Sequence, residues 1–159
     1  MQATLVVERI ERRLSLDPIS DAEWLRTRMD TSGGRLRIVE SMRYSDDDIQ
    51  TYGAAQIRAW VAEDHQRYDA FQRGEWWFVD AFATAIIGVY LGEERVGQTR
   101  YCSSLVGGLE SDAPRDWLDD MTEPLVAEVR EGLAGGGFTG LEGVETPYVL
   151  SEPWIAPAI

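Results

Sequence analysis

His65 is the only histidine of the chain and Cys102 its only cysteine. Imidazole and thiol are the side chains best suited to base and nucleophile work near neutral pH, so catalysis is sought first at these two positions. Asp64 precedes His65 and Asp69 follows it by four residues. That spacing sets two side chains on one helical face, where a carboxylate can orient an imidazole. The simpler reading is a boundary or surface histidine, with Cys102 a small buried apolar residue on a strand. Paired carboxylates are a second chemistry. A hydrolase of that kind needs two acids in a cleft with their pKa values pushed apart. Asp80 and Glu110 are the candidates, because each lies beside apolar sequence. An ion pair of Asp80 with Arg100 on a neighbouring strand is the structural alternative.

Other chemistries lack their residues. Asp46, Asp47 and Asp48, and again Asp116, Asp119 and Asp120, offer oxygens to a hard cation. Their spacing is that of solvated helix starts and not of an EF-hand, so no metal is expected. A lone cysteine builds neither an internal disulfide nor a cysteine metal cluster. There is no phosphate-cradling glycine loop, serine elbow or zinc motif, and no cofactor is expected.

Charge is the largest global signal. The chain has 159 residues and a net charge of −13, with 28 acids against 15 basic residues, all of them arginine. Residues 1–45 hold eight arginines and seven acids, whereas residues 46–159 hold seven arginines and 21 acids, a net of −14. Such a field repels a phosphate backbone, so direct nucleic-acid binding is disfavoured. It favours approach to a basic surface on a partner protein. The alternative use of the acidity is solubility.

The elements that would position these groups can be read from periodicity. In residues 76–91 every second position is apolar, and the other face is polar only at Asp80 and Thr84. This predicts a strand covered on both sides, too polar and too short of leucine for a membrane span. Residues 92–94 offer a turn, and 95–105 return as a second strand. Residues 3–16 fit strand or helix, with a slight preference for a strand that sets Leu14 and Leu16 on one face. Ser20 and Glu23 form a capping-box pattern for a short helix burying Trp24, Leu25 and Met29, and 36–42 alternate as a strand. A helix is predicted over 46–72, capped by Ser45 and closed by Gly74, with Gly53 marking close packing. A second helix is predicted over 122–134, with Thr122 as cap, Pro124 in its first turn and an acidic loop before it. Adjacent Trp76 and Trp77 should point to opposite faces of their strand. The whole is an α+β fold, an antiparallel sheet with a central hairpin packed against two principal helices. One domain is expected over 1–137, with 138–159 a tail laid across it through Phe138, Tyr148, Leu150 and Trp154.

Residues 67–79, RYDAFQRGEWWFV, with Ala83 and Ala85 and the later run Gly108-Leu109-Glu110-Ser111-Asp112, resemble a family of small acidic proteins of actinobacterial chromosomes, plasmids and phages. The resemblance covers roughly residues 45–134. Asp80 stands where those proteins carry a glycine, and Phe82 where they carry an arginine, so a role of that arginine would be missing here. The resemblance implies an accessory or mobile-element context and no catalytic residue.

The functional expectation is therefore a non-catalytic, cytoplasmic accessory protein that binds a partner protein. Its negative face would be drawn from Asp46, Asp47, Asp48, Glu63, Asp64, Glu93, Glu94, Asp116, Asp119 and Asp120. In the extreme form it mimics the charge of DNA and inhibits a basic protein. A homodimer through an exposed tryptophan face is an added expectation. The alternatives are a small hydrolase or transferase using His65, Cys102, Asp80 or Glu110, and a small-molecule-binding module lined by tryptophans.

Overall fold

The computed structural model describes residues 2–17 and 19–150, and Trp154 of the expected tail lies outside them. The fold is α+β, as the change of periodicity along the chain predicts. The chain divides into two compact units, one built from residues before 18 and after 77, the other from residues 19–77.

The first unit is a sheet covered by a helix. Its strands are β1 (Ala3–Leu16), β4 (Phe78–Leu91), β5 (Glu94–Cys102), β6 (Val106–Glu110) and β7 (Tyr148–Leu150), and its helix is α3 (Arg115–Gly135). The path runs β5-β4-β1-β7, and β6 pairs with the beginning of β4. All pairings are antiparallel except β1 with β7. The tight β4–β5 turn uses Gly92 at φ 63°, a conformation open to glycine without steric cost.

Residues 3–16 form a strand along their whole length. The apolar alternation that Leu5 and Val7 begin is interrupted at Arg9 by a β-bulge: Val7 stands opposite Ile87, but Arg9 stands opposite Ile86. The extra residue, Glu8, shifts the phase by one. Leu5 and Val7 therefore share a face with Ile10, Arg12, Leu14 and Leu16. Leu14 is buried on it while Leu16, at the strand's end, is exposed.

That face receives α3. Arg12 reaches Thr122 from it, and a Cβ on Gly132 would overlap the Tyr101 hydroxyl. Ala81, Ala83 and Ala85 are buried on the same face of β4, with Leu118, Leu125, Val126, Val129 and Leu133 buried on the helix. Small residues on the strand permit a close helix, and the helical stripe repeats at three and four residues. The opposite face of β4 is also withdrawn from water at Phe78, Thr84 and Ile86.

The helix differs from its expected span. It starts at Arg115, not at Thr122, and Pro124 lies inside it. The apolar stripe extends back to Leu118, and burial of that turn outweighs the hydrogen bond Pro124 cannot donate. Thr122 is no cap: its hydroxyl donates to the Leu118 carbonyl one turn earlier, at 2.8 Å.

The second unit contains the hairpin of β2 (Thr27–Asp30) and β3 (Arg37–Ser41), then α1 (Asp46–Tyr52) and α2 (Ala54–Gln72). Its core is Leu36, Ile57 and Val61, flanked by Met29, Ile38, Tyr44, Ile49 and Trp60. The single helix expected over 46–72 is broken at Gly53, whose φ is 88°. An added Cβ there would meet nothing within 4 Å, so the glycine serves the backbone turn and not close packing. Ser45 and Asp48 form a capping box that starts α1, and Gly74, at φ 72°, follows the end of α2. The helix expected after Ser20 is only a 3-10 turn, Glu23–Leu25, with Met29 in β2 instead. Trp76 and Trp77 precede β4 and belong to no strand. Trp76 is buried, its indole N–H donating to the Arg67 carbonyl at 2.9 Å and its ring set against Phe71.

Candidate functional site

The four residues suggested for catalysis are divided between the units. His65 lies on α2 in the unit of 19–77, and Cys102, Asp80 and Glu110 lie in the sheet unit. His65 is exposed, and its Nε2 accepts the Thr27 backbone N–H at 3.2 Å. That bond, rather than Asp69, orients the ring. Its Nε2 is thereby occupied as an acceptor and pins α2 to the start of β2. Beside it is a cleft of about 470 Å³ lined by Arg26, Arg28, Glu40, Ser41 and Met42. Two ion pairs, Arg26–Glu23 at 3.2 Å and Arg28–Glu40 at 3.7 Å, form among its lining residues.

Cys102 ends β5 and is exposed, not buried. It stands opposite Thr84, and the two side chains meet at 3.1 Å. No imidazole or arginine is among its hydrogen-bond or ionic partners in the described residues, and such a neighbour is what activates a thiolate.

Asp80 stands opposite Ser15, and Ile86, not Asp80, stands opposite Arg100. Its partner is another carboxyl. Burial, then the charge and hydrogen bond of Asp17, push its pKa up, opposed by the Gly108 N–H. Two acids sharing a hydrogen bond retain a proton that a solvated aspartate loses. Gly107 makes room for the pair, since a Cβ there would lie 2.8 Å from Asp80 Oδ1. Glu110 stands opposite Phe78, two residues from Asp80 along β4. The acid beside Asp80 is thus Asp17, so the pair joins the end of β1 to the start of β4. Sequence reasoning missed Asp17 because Pro18 follows it and marks the end of an element. None of the four clefts described here is lined by Cys102, Asp80 or Glu110.

The acids suggested for partner binding have several roles. Asp46 accepts the Ile38 N–H at 2.8 Å, tying β3 to the start of α1, and Asp48 caps α1 through the Ser45 N–H. Asp64 is buried and takes Arg43 at 2.6 Å and the Tyr44 hydroxyl at 2.9 Å. Its charge is used inside the unit. Asp119 is held by the Tyr148 hydroxyl at 2.8 Å and by Arg115 at 3.2 Å, and these lower its pKa. Asp116 accepts its neighbour's N–H, that of Trp117. Asp47, Glu63 and Asp120 are exposed, and their carboxylates have no partner among the described residues.

Two polar clusters were not foreseen. On the sheet unit, Arg12 and Arg115 lie over the Tyr148 ring, 5.7 and 4.1 Å from its centroid, while the Tyr148 hydroxyl contacts Thr122 and Asp119. This network locks β1, α3 and β7 together. In the other unit, Arg43 lies over Trp24 and Tyr44, and Tyr44 stacks on Trp60. Trp60 borders a small cleft of about 270 Å³ with Glu63. Such arginine–aromatic pairs join separate segments, Arg12 with Tyr148 and Arg43 with Trp24 among them, and leave no local sequence signal. The described residues contain no group of three or more metal-ligating side chains placed to hold an ion. No described helix is long and apolar enough to cross a membrane. Comparison with family models, curated proteins and solved structures found no match for the chain.

Proposed function

We propose that this is a non-catalytic acidic accessory protein that binds a basic partner protein through the sheet unit. The observation that carries the reading is the pairing of charges there. Over its described residues that unit has 16 acids and seven arginines. Six of those arginines already have a carboxylate within 4 Å: Arg9 and Arg13 at Glu11, Arg12 at Glu123, Arg95 at Glu8, Arg115 at Asp119, and Arg130 between Glu123 and Glu142. Glu93, Glu94, Asp120, Glu131 and Glu145 are exposed, with no partner for their carboxylates among the described residues. The outward charge is therefore carboxylate. Such a field raises the rate of encounter with a basic surface and disfavours acidic ones. A protein that normally holds nucleic acid is one suitable partner, and blocking it by charge mimicry is the strong form of the proposal.

The test follows from which acids are structurally committed. Asp46, Asp48, Asp64 and Asp119 hold the fold, so their replacement confounds binding with folding. Glu93→Gln, Glu94→Gln, Asp120→Asn and Glu131→Gln together remove only outward charge. Capture of partners from the native host, at low and moderate salt, should lose a basic protein in this variant and lose it progressively with salt. Competing duplex DNA should displace that protein if the mimicry form holds. Equal capture by both proteins at every salt concentration would reduce the acidity to a solubility feature.

A further inference from the structure

Arg35, Arg58 and Arg100 stand apart from the other arginines. At least 11 of the 15 arginines have a carboxylate within 4 Å. For Arg35, Arg58 and Arg100 the described residues supply neither an ion pair nor a hydrogen bond to the side chain. In a chain of net charge −13, unpaired cations are the exception. Two of the three, Arg35 and Arg58, line the same cleft, of about 550 Å³, the largest of the four described.

The cleft lies wholly within the unit of 19–77, between the β2–β3 turn and the α1–α2 junction. Its apolar wall is Leu36, Ile49 and Ala54. Asp46 is the acid among the lining residues, and its Oδ1 is already engaged by the Ile38 N–H at 2.8 Å. Two guanidiniums against one engaged carboxylate leave positive charge in excess. Ala54 is also the first residue of α2, a helix of 19 residues that starts with no side-chain cap and no acid in its first turn. The C-terminus of α1 meets the same Gly53 junction, so the two helix ends offset each other and the guanidiniums carry the excess charge. A guanidinium presents a planar fork of N–H groups that matches the oxygens of phosphate or carboxylate. No residue of the sheet unit lines this cleft.

We propose that this cleft binds a small anionic ligand, one bearing a phosphate or carboxylate group beside an apolar portion. Arg35 and Arg58 take the anionic group, and Leu36 and Ile49 take the apolar portion.

Phenyl phosphate, benzoate and uncharged benzyl alcohol separate these contributions. Each is titrated into the full-length isotope-labelled protein, and amide shifts are followed. Phenyl phosphate or benzoate should bind with a Kd on the order of 1 mM, as expected for a ligand of about a dozen heavy atoms. The shifts should be confined to residues 31–36 and 46–58, and the tighter of the two anions identifies the preferred group. Arg35→Gln and Arg58→Gln should each weaken binding about tenfold, the loss of one charged hydrogen-bonding partner. Arg100→Gln, on β5, should leave it unchanged. Both arginines are exposed, so the variants are expected to fold, and their unperturbed spectra without ligand check this. The proposal is overturned if neither anion shifts these amides, if benzyl alcohol binds as well as the anions, or if Arg100→Gln costs as much as Arg58→Gln.

Discussion

Replacing Arg12 by methionine should destabilise the protein by about 2–3 kcal/mol. The side chain leaves β1 and is 11 % exposed. It donates at 2.8 Å to the Thr122 hydroxyl, at 2.8 Å to Glu123 and at 3.3 Å to the Thr146 hydroxyl, and it lies 5.7 Å from the Tyr148 centroid. Methionine keeps most of the apolar stem and removes every donor. A hydrogen bond from a charged donor contributes about 1.5–3 kcal/mol. The pair with Glu123, half in water, adds less than about 1 kcal/mol, and the ring contact about 0.5–1 kcal/mol. Relief from holding a charge in a mostly buried place offsets part of that sum. A fall in melting temperature of roughly 2–4 °C per kcal/mol follows for a chain of this size. Because the chain has two units, urea unfolding should be read together with hydrogen exchange at β1 amides, which isolates the sheet unit. A cycle with Thr122→Val should return a coupling of at least about 0.5 kcal/mol. Zero coupling, or an effect of Arg12→Met no larger than that of the surface change Arg100→Met, would refute the lock between β1, α3 and β7.

Two further outcomes depend on pH. Asp80 has its pKa raised, by burial first and then by Asp17, so the folded state holds a proton that the unfolded chain releases. Its contribution to stability is fully present below the unfolded value of about 3.9 and is lost as pH rises through the folded pKa. Asp80→Asn keeps the acceptor for Gly108 and donates to Asp17, so it should gain stability relative to wild type between pH 4 and pH 7; urea midpoints at the two pH values that differ by the same amount would contradict the shared proton. Asp30 behaves oppositely, its pKa lowered to about 2 by the Ser32 N–H and hydroxyl and by Arg37. Its contribution is present above the unfolded value and is lost as pH falls through about 2; a carboxyl carbon titration of Asp30 with a midpoint near 4 would show that the β2–β3 turn is not closed in this way.

The central strand was legible because apolar residues fill both of its faces. In β4 both faces are apolar and both are buried, and the polar exceptions Asp80 and Thr84 find partners in Asp17 and Cys102. Residues 3–16 were ambiguous because a bulge at Glu8 reverses the alternation midway, and a period-2 pattern read straight through cannot register a change of phase. The start of α3 was misplaced because Pro124 and Thr122 are strong local signals for a helix beginning, whereas burial of Leu118 against the sheet is a tertiary one. Gly53 gives a misleading signal of close packing for a related reason. Composition indicates that a glycine is costly in a helix, but only its φ shows that the helix ends there.

Chemistry was less legible, and the reason lies in what makes a side chain available. His65 and Cys102 draw attention because imidazole and thiol are rare, yet rarity does not indicate the neighbours that would activate them. In the fold one accepts a backbone N–H and the other meets a threonine. Arginines draw no attention, because the chain has 15. Arg9, Arg12 and Arg35 are indistinguishable as letters, and only tertiary pairing separates them: Glu11 and Glu123 take the first two, and no described carboxylate takes the third. The same holds for the acids. Asp64 and Asp120 look alike in an acidic sequence, but one is buried and paired with Arg43 and the other faces water unpaired. Formal charge therefore overstates the sites and misplaces them. Charge left over after internal pairing is the quantity a ligand or partner meets, and here it takes opposite signs in two places: carboxylates on the sheet unit and guanidiniums at one cleft of the other. A protein selected only to stay dissolved has no need of the second, because unpaired arginines reduce the magnitude of its net negative charge.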